Sequence, residues 1–237
     1  MKQNLTISIP KSLTNFAKVC LEILSKSSLG QFITLGGAVG LSLYHEFRTT
    51  KDVDAWWATD VSENEKESVI NLIKTTLENY GYVNIRRFGD VISLDLRQQN
   101  KVVFNFQIAR RNAIIRQPIE SPWSPVTLDS FDDLVASKMT ALIERGAPRD
   151  FLDIYEICNK KLVTISRCWE LWQEREIKRG ITETNQQIAY EAILLHLSRI
   201  EKSRPLEKIA DLNQRNHANK VRIWFKDEFC KGKIYTQ

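Results

Sequence analysis

Long apolar runs are missing from this sequence. The longest, FITLGGAVGLSLY, spans 13 residues and includes three glycines, short of the roughly 18 that a membrane crossing requires. No membrane span is expected. The N-terminus, MKQNLTISIPKSL, has no uninterrupted apolar stretch of the kind a signal peptide carries, so nothing suggests export. Cysteine is scarce as well. Cys20, Cys158, Cys168 and Cys230 have neither C-x-x-C spacing nor nearby histidine partners, which argues against a zinc motif and a disulfide framework. A reducing cytoplasm is the expected setting. The three histidines, His45, His196 and His217, are scattered, and a lone helical histidine is more often a surface or core group than a catalyst. Internal repeats and low-complexity tracts are absent too.

What remains is an ordinary globular composition. A chain of 237 residues with 43% hydrophobic and 27% charged residues suits one large domain or two small ones, each able to bury a core. The net charge of +5 is concentrated. From Arg86 to Arg116 seven Lys/Arg face Asp90 and Asp95, and from Lys202 to Lys233 nine face Glu207, Asp211, Asp227 and Glu228. Both stretches are candidate surfaces for a phosphate backbone, and solvated faces that keep the chain in solution account for the same charge equally well.

Periodicity divides the chain. Leu13, Phe16, Ala17, Cys20, Leu21 and Leu24 recur at three- and four-residue intervals, predicting an amphipathic helix over 11–27. QFITLG reads as a short buried strand stopped by Gly36-Gly37, 38–47 as a short helix, and KDVDAWW as a strand with one wet face. A helix over 63–80 is expected to be closed by Gly81. YVNIRRF, VISLDLR and KVVFNFQIA read as strands joined at Gly89-Asp90 and at QQN. RQPIESPWSPVTLDS, with three of the six prolines, is expected to connect two parts. After it, helices are expected at 130–145, 148–159, 166–179, 183–199 and 205–229, the first opened by Ser130 with Asp133 in the manner of a capping box. Trp169, Trp172 and Trp224 fall at helical spacing and read as core.

Chemistry concentrates between Gly36 and Asp54, within 19 residues. Asp52 and Asp54, two apart on a strand, project to the same face. Neighbouring carboxylates repel unless a cation lies between them, and Mg²⁺ is typically held by one or two carboxylates together with substrate phosphates. Gly36-Gly37 ahead of a helix supplies backbone N–H groups that can approach phosphate oxygens. Arg48, Thr49, Thr50 and Lys51 add cationic and hydroxyl donors at the same edge. Of the tryptophans that follow, Trp57 is expected in the core, while Trp56 is left as a possible base-stacking surface. Taken singly, an Asp-x-Asp is more often the solvent side of an edge strand, and Gly-Gly is commonly just a turn.

In combination, "GG-x(10)-R-T-T-K-D-V-D" resembles the first motif of the nucleotidyltransferase superfamily related to DNA polymerase beta, above all its AbiEii/AbiGii-type toxin branch. A second stretch, DLVASKMTALIERGAPRDFLDIYEI, is similar to a later motif of that branch at Lys138, Arg145, Arg149, Asp150 and Asp153. Read without the resemblance, Arg149 and Asp153 are an ordinary helix-surface pair. The resemblance covers roughly residues 30–160 and implies an α+β fold: a nucleotidyltransferase core over 1–120, its mixed sheet flanked by helices, and a helical region over 121–237 contributing Lys138 and Asp150. It further implies Mg²⁺, with Mn²⁺ as a substitute, held by Asp52 and Asp54, and an NTP held by Gly36, Gly37, Arg48, Thr50, Lys138 and Arg145. Activation of the acceptor hydroxyl falls to hydroxide on the metal or to Asp150 or Asp153. Implied partners are an acceptor such as the 3′ end of tRNA and a cognate antitoxin. The chain departs from the pattern at the third carboxylate, where Asn105 stands in KVVFNFQIA; Asp95 on a neighbouring strand is the nearest acidic substitute, and a one-metal or weakened site is the alternative. A protein acceptor is the rival to tRNA, and a catalytically weakened binding module of the same fold is the second rival.

Overall fold

A computed structural model describes residues 6–230 of the chain, which forms two compact units, one running to Leu134 and one starting at Val135. The first holds a seven-stranded mixed sheet in the order β3-β4-β5-β2-β1-β7-β6. Its strands are β1 (Ile33–Leu35), β2 (Asp52–Trp57), β3 (Tyr82–Phe88), β4 (Val91–Gln98), β5 (Lys101–Ala109), β6 (Ile119–Glu120) and β7 (Thr127–Leu128). Three helices accompany them: α1 (Asn15–Ser25), α2 (Gly37–Tyr44) and α3 (Glu63–Glu78).

The alternation seen in the sequence decides which face is dry. Val53, Ala55 and Trp57 of β2, Ile92, Leu94 and Leu96 of β4, and Phe104, Phe106 and Ile108 of β5 are buried in one core with Ala17, Cys20, Leu21 and Leu24 of α1 and Val69, Ile70, Ile73 and Leu77 of α3. The intervening residues, Asp52, Asp54, Trp56, Ser93, Asp95, Asn105 and Gln107, therefore share the opposite face. Gln99 and Asn100 both have positive φ, 48° and 62°, as a two-residue hairpin between right-twisted strands demands.

Three expectations change. Gly81 does not close α3, whose C-cap is Asn79; a Cβ on Gly81 would stand 2.5 Å from the carbonyl oxygen of Arg97, so close backbone approach is what requires glycine there. The proline-rich stretch is not a bare connection. β7 within it pairs parallel to β1, and β6 pairs with β7, extending the sheet. The division between units consequently falls at 134/135 rather than near 120. Two-residue strands with no alternation to read left no trace in the periodicity.

α4 (Phe131–Glu144) opens as expected, with the Asp133 amide donating to Ser130 Oγ at 3.0 Å. The second unit continues with α5 (Pro148–Asn159), α6 (Ile165–Lys178), α7 (Gln186–Ser203) and α8 (Leu212–Trp224), the last running into a π-helical turn, Phe225–Phe229. The helix expected over 205–229 is thus broken, because Asp211 caps a new start by accepting from the Gln214 amide. Aromatic rings fill this core. Phe151 meets Phe225 edge-on at 4.7 Å, and Trp169 lies 4.2 Å from Tyr190 and 5.5 Å from Phe229, centroid to centroid. Trp169 and Trp172 are buried as predicted, and Trp224 is half-buried against Tyr155 and Phe225. His196 accounts for itself structurally: its Nε2 lies 3.1 Å from the Ile143 carbonyl oxygen, and its ring covers Gly146, whose φ is +52°. All four cysteines are unpaired, and no helix among the described residues is long and apolar enough to cross a membrane.

Candidate active site

The glycine turn and the aspartates meet because β1 and β2 run antiparallel with Leu35 opposite Ala55. Just past β1, the Gly36 amide donates to the Asp54 carbonyl at 2.9 Å. Gly37 begins α2 in the left-handed region, at φ +56°. A Cβ on Gly37 would stand 2.5 Å from Cβ of Asp54, and one on Gly36 would stand 3.0 Å from Cε2 of Trp56. The two missing Cβ atoms therefore leave a cradle lined by Asp54, Trp56 and the first turn of α2. That turn also presents N–H groups without intrahelical acceptors, together with the positive end of the helix dipole. Gly37→Ala is expected to lose about 1–2 kcal/mol of stability from its backbone conformation and to push Asp54 out of place. Thermal melting and an incorporation assay should show both losses together.

Asp52 and Asp54 are half-buried on the polar face of β2. Their neighbours across the parallel pairing with β5 are Asn105 and Gln107, respectively. The position where a third carboxylate was sought is thus next to Asp52 and holds a neutral amide. Asp95 lies one strand further, opposite Asn105 on β4, and its carboxylate is taken up: Arg86 Nε lies 2.7 Å from Oδ2, and Oδ1 accepts from Arg86 at 2.9 Å, Asn105 at 2.6 Å and Ser93 at 3.2 Å. Burial pushes the Asp95 carboxyl up, but the bonds from Arg86 and Asn105 outweigh it and hold the group below the usual carboxylate range. Among the described residues no group of three or more His, Cys, Asp and Glu side chains is arranged to hold a metal ion. A cation between Asp52 and Asp54 would draw its remaining ligands from neutral oxygens, water and phosphate, a donor set that suits Mg²⁺.

Thr50 sits at the entrance to β2, its Oγ donating to the Asp52 carbonyl at 3.2 Å and accepting from the Asp52 amide at 3.4 Å. The hydroxyl is thereby turned to its own strand. Arg48 lies beside Phe47, 6.0 Å from the ring centroid, in the same lead-in.

Sequence reasoning missed the buried network beneath Trp56. Trp56 Nε1 donates to Asp129 Oδ2 at 2.9 Å, and Asp129 is ion-paired with Arg111. The same guanidinium reaches Asp133 at 3.0 Å, and Asp133 also accepts from the amides of Ile115 and Arg116, each at 2.9 Å. Both carboxylates are fully buried. Burial raises the Asp129 carboxyl to about 6 despite the charge of Arg111. Ser130 with Asp133 was the one local signal of this network; Asp129 had none.

In the second unit the later motif forms a clasp between α4 and α5. Lys138 Nζ lies 2.5 Å from Asp153, and Arg145 grips Asp150 through Nε at 2.8 Å and a terminal nitrogen at 2.9 Å, with the Ala147 amide adding a third bond at 3.1 Å. Both carboxylates are fully buried. Burial pushes Asp150 up, yet the Arg145 bonds and charge hold it below the usual range. For Asp150, a carboxyl held low in this way is a poor proton acceptor. Arg149 is exposed.

The charge in 86–116 is also redistributed. Arg86 pairs with Asp95, Arg87 with Glu67, Arg111 with Asp129 and Asp133, and Arg116 with Asp132. Most of these acids lie outside the stretch, so a count along the sequence overstated its basicity. Lys231 and Lys233 of the second stretch lie outside the described residues.

A glycine cradle at a helix start, set against an Asp-x-Asp strand on the polar face of a mixed sheet, is the arrangement of a nucleotidyltransferase. The chain belongs to the AbiEii family, described as "Nucleotidyl transferase AbiEii toxin, Type IV TA system", which it matches over residues 19–223. No curated protein matches it. Among solved structures it is similar to the Megavirus polyadenylate synthase at 10% identity, over 94% of this chain and 51% of that one, with a TM-score of 0.36. The chain thus spans about half the length of that protein, and the likeness is too loose to carry an argument.

Proposed function

We propose that this protein transfers a nucleoside monophosphate from an NTP to an RNA 3′ end, that of tRNA foremost, as the toxin of a toxin–antitoxin pair. The observation that carries the reading is the close approach of Gly36-Gly37 to Asp54, with Asp52 on the same face. Asp52 and Asp54 would hold Mg²⁺, which when bound neutralises charge on the triphosphate and on the leaving pyrophosphate. The N–H groups at the start of α2 bind phosphate oxygens, and the cradle aligns the α-phosphorus for in-line attack by the acceptor hydroxyl. For Lys138 and Arg145 the family likeness alone argues a nucleotide role; within the helical unit they are engaged by Asp153 and Asp150.

A protein acceptor, including a cognate antitoxin, is the second reading, favoured by the internal pairing of the 86–116 arginines, which leaves less charge for an RNA backbone. Incubating the chain with each labelled NTP, Mg²⁺, and either total RNA or a partner protein separates the two. Label in tRNA is the expected result. Label in protein alone supports the second reading, and no label in either overturns the transferase proposal.

A further inference from the structure

In the helical unit two thiols touch. Cys158 Sγ and Cys168 Sγ stand 3.7 Å apart, a contact distance that leaves no room for another atom between them. The turn from α5 to α6 brings them together. Cys158 is the last residue but one of α5, and Cys168 lies near the start of α6. Lys161 reverses the chain in the left-handed region, at φ 58°, its amide donating to the Cys158 carbonyl at 2.9 Å and the Leu162 amide to the Ile157 carbonyl at 3.0 Å. Thr164 caps α6, accepting from the Arg167 amide through its hydroxyl at 3.1 Å and from the Cys168 amide through its carbonyl at 3.0 Å. Both sulfurs are thus carried by hydrogen-bonded backbone. Closing their gap to the roughly 2 Å of a disulfide is a movement of side-chain scale.

The two thiols differ in exposure. Cys168 is fully buried, whereas Cys158 is half-buried beside the exposed Asn159, Lys160 and Lys161. Its hydrogen bond to Cys158 and its burial push the Cys168 thiol well above the usual range, so it keeps its proton. Cys158 is the sulfur that an oxidant from solvent meets first. Cys20 and Cys230 offer a contrast within the same chain: burial pushes each thiol up to about 12.

We infer that Cys158 and Cys168 form a site of reversible oxidation, whose co-reactant is hydrogen peroxide and whose product is an intramolecular disulfide. The Cys158 thiolate attacks the peroxide, the O–O bond breaks, and a sulfenic acid forms as hydroxide leaves and is protonated to water. The Cys168 sulfur then attacks the sulfenic sulfur, and its proton departs with the displaced hydroxyl as a second water. Two thiols are oxidised and one peroxide is reduced. A dithiol reverses the change. In a reducing compartment such a bond is transient, unlike the structural framework that the cysteine spacing excludes. Neither sulfur belongs to the glycine cradle, so the site does not depend on the transferase reading.

The test is a peptide map of the full chain after peroxide treatment, with circular dichroism establishing that the chain stays folded throughout. The treated protein is denatured in N-ethylmaleimide, cut with trypsin and analysed by mass spectrometry without reductant. Cleavage after Arg149, Lys160, Lys161, Arg167 and Arg175 puts the two cysteines on separate peptides, 150–160 and 168–175. Those peptides should appear linked, should separate in dithiothreitol, and should be accompanied by Cys20 and Cys230 still carrying maleimide. Cys168→Ser should lose the link and leave Cys158 as a sulfenic acid that dimedone labels, and Cys158→Ser should leave Cys168 unoxidised. A folded wild-type chain that yields no linked peptide would overturn the inference. So would a link from Cys158 to a second chain, oxidation of Cys20 and Cys230 as fast as that of Cys158, or oxidation of Cys168 that persists in Cys158→Ser. Should Cys168→Ser fail to fold, the wild-type map decides by itself.

Discussion

Replacing Asp52 and Asp54 together by alanine is expected to lower nucleotide incorporation by at least about a thousandfold, roughly 4 kcal/mol of transition-state stabilisation. The reason is that no other acid lies ready to take over. Asn105 and Gln107 flank the pair on β5, and Asp95 is bound by Arg86, Ser93 and Asn105. The fold should persist, since the core side of β2 is carried by Val53, Ala55 and Trp57. Incorporation of labelled NTP, alongside circular dichroism melts, checks both halves. Wild-type incorporation by a folded double variant would dismiss the site.

Arg111→Ala should produce the largest loss of stability, about 3–5 kcal/mol at pH 8, because it strands two buried carboxylates, Asp129 and Asp133, without their shared cation. The loss should depend on pH. Burial raises the folded-state Asp129 carboxyl to about 6, above the roughly 3.9 of an unfolded aspartate. The folded chain therefore binds the proton more tightly, and this group's contribution favours folding at low pH and is lost as pH rises from about 4 to 6. Removing Arg111 leaves protonation as the remaining way to neutralise Asp129, so the variant's deficit should shrink at pH 5. Urea denaturation at pH 5 and pH 8 measures this, and an equal deficit at both would show that Asp129 does not titrate there. Trp56, tied to Asp129 and facing the cradle, should loosen in the same variant, so tryptophan fluorescence is expected to change along with stability.

Much of the sheet could be read from alternation. β3 and β5 fall where YVNIRRF and KVVFNFQIA predicted them, since long strands with one dry face repeat their pattern often enough to be seen. Trp57 in the core and Trp56 on the polar face follow from the same parity. β6 and β7 were illegible because two residues cannot alternate. The cradle was legible as a pairing of motifs, yet the close approach of Gly37 to Asp54 depends on the register of β1 against β2. Asp150 and Asp153 stood out in the sequence as chemistry-bearing acids, and only the fold shows them buried against Arg145 and Lys138. The basic stretch differs for a related reason: Arg87, Arg111 and Arg116 are paired with Glu67, Asp129, Asp133 and Asp132, acids outside the stretch that a local count does not see.

By itself the sequence determined that β2 carries two carboxylates on one face and that a glycine turn precedes it, because side-chain direction on a strand and the freedom of glycine are local properties. Tertiary structure decided which charges are available. Arg86 and Arg111 are spent on Asp95, Asp129 and Asp133, and Asn105 is turned by a neighbour on another strand, because electrostatic pairing and hydrogen-bond direction depend on distances that only the folded chain sets.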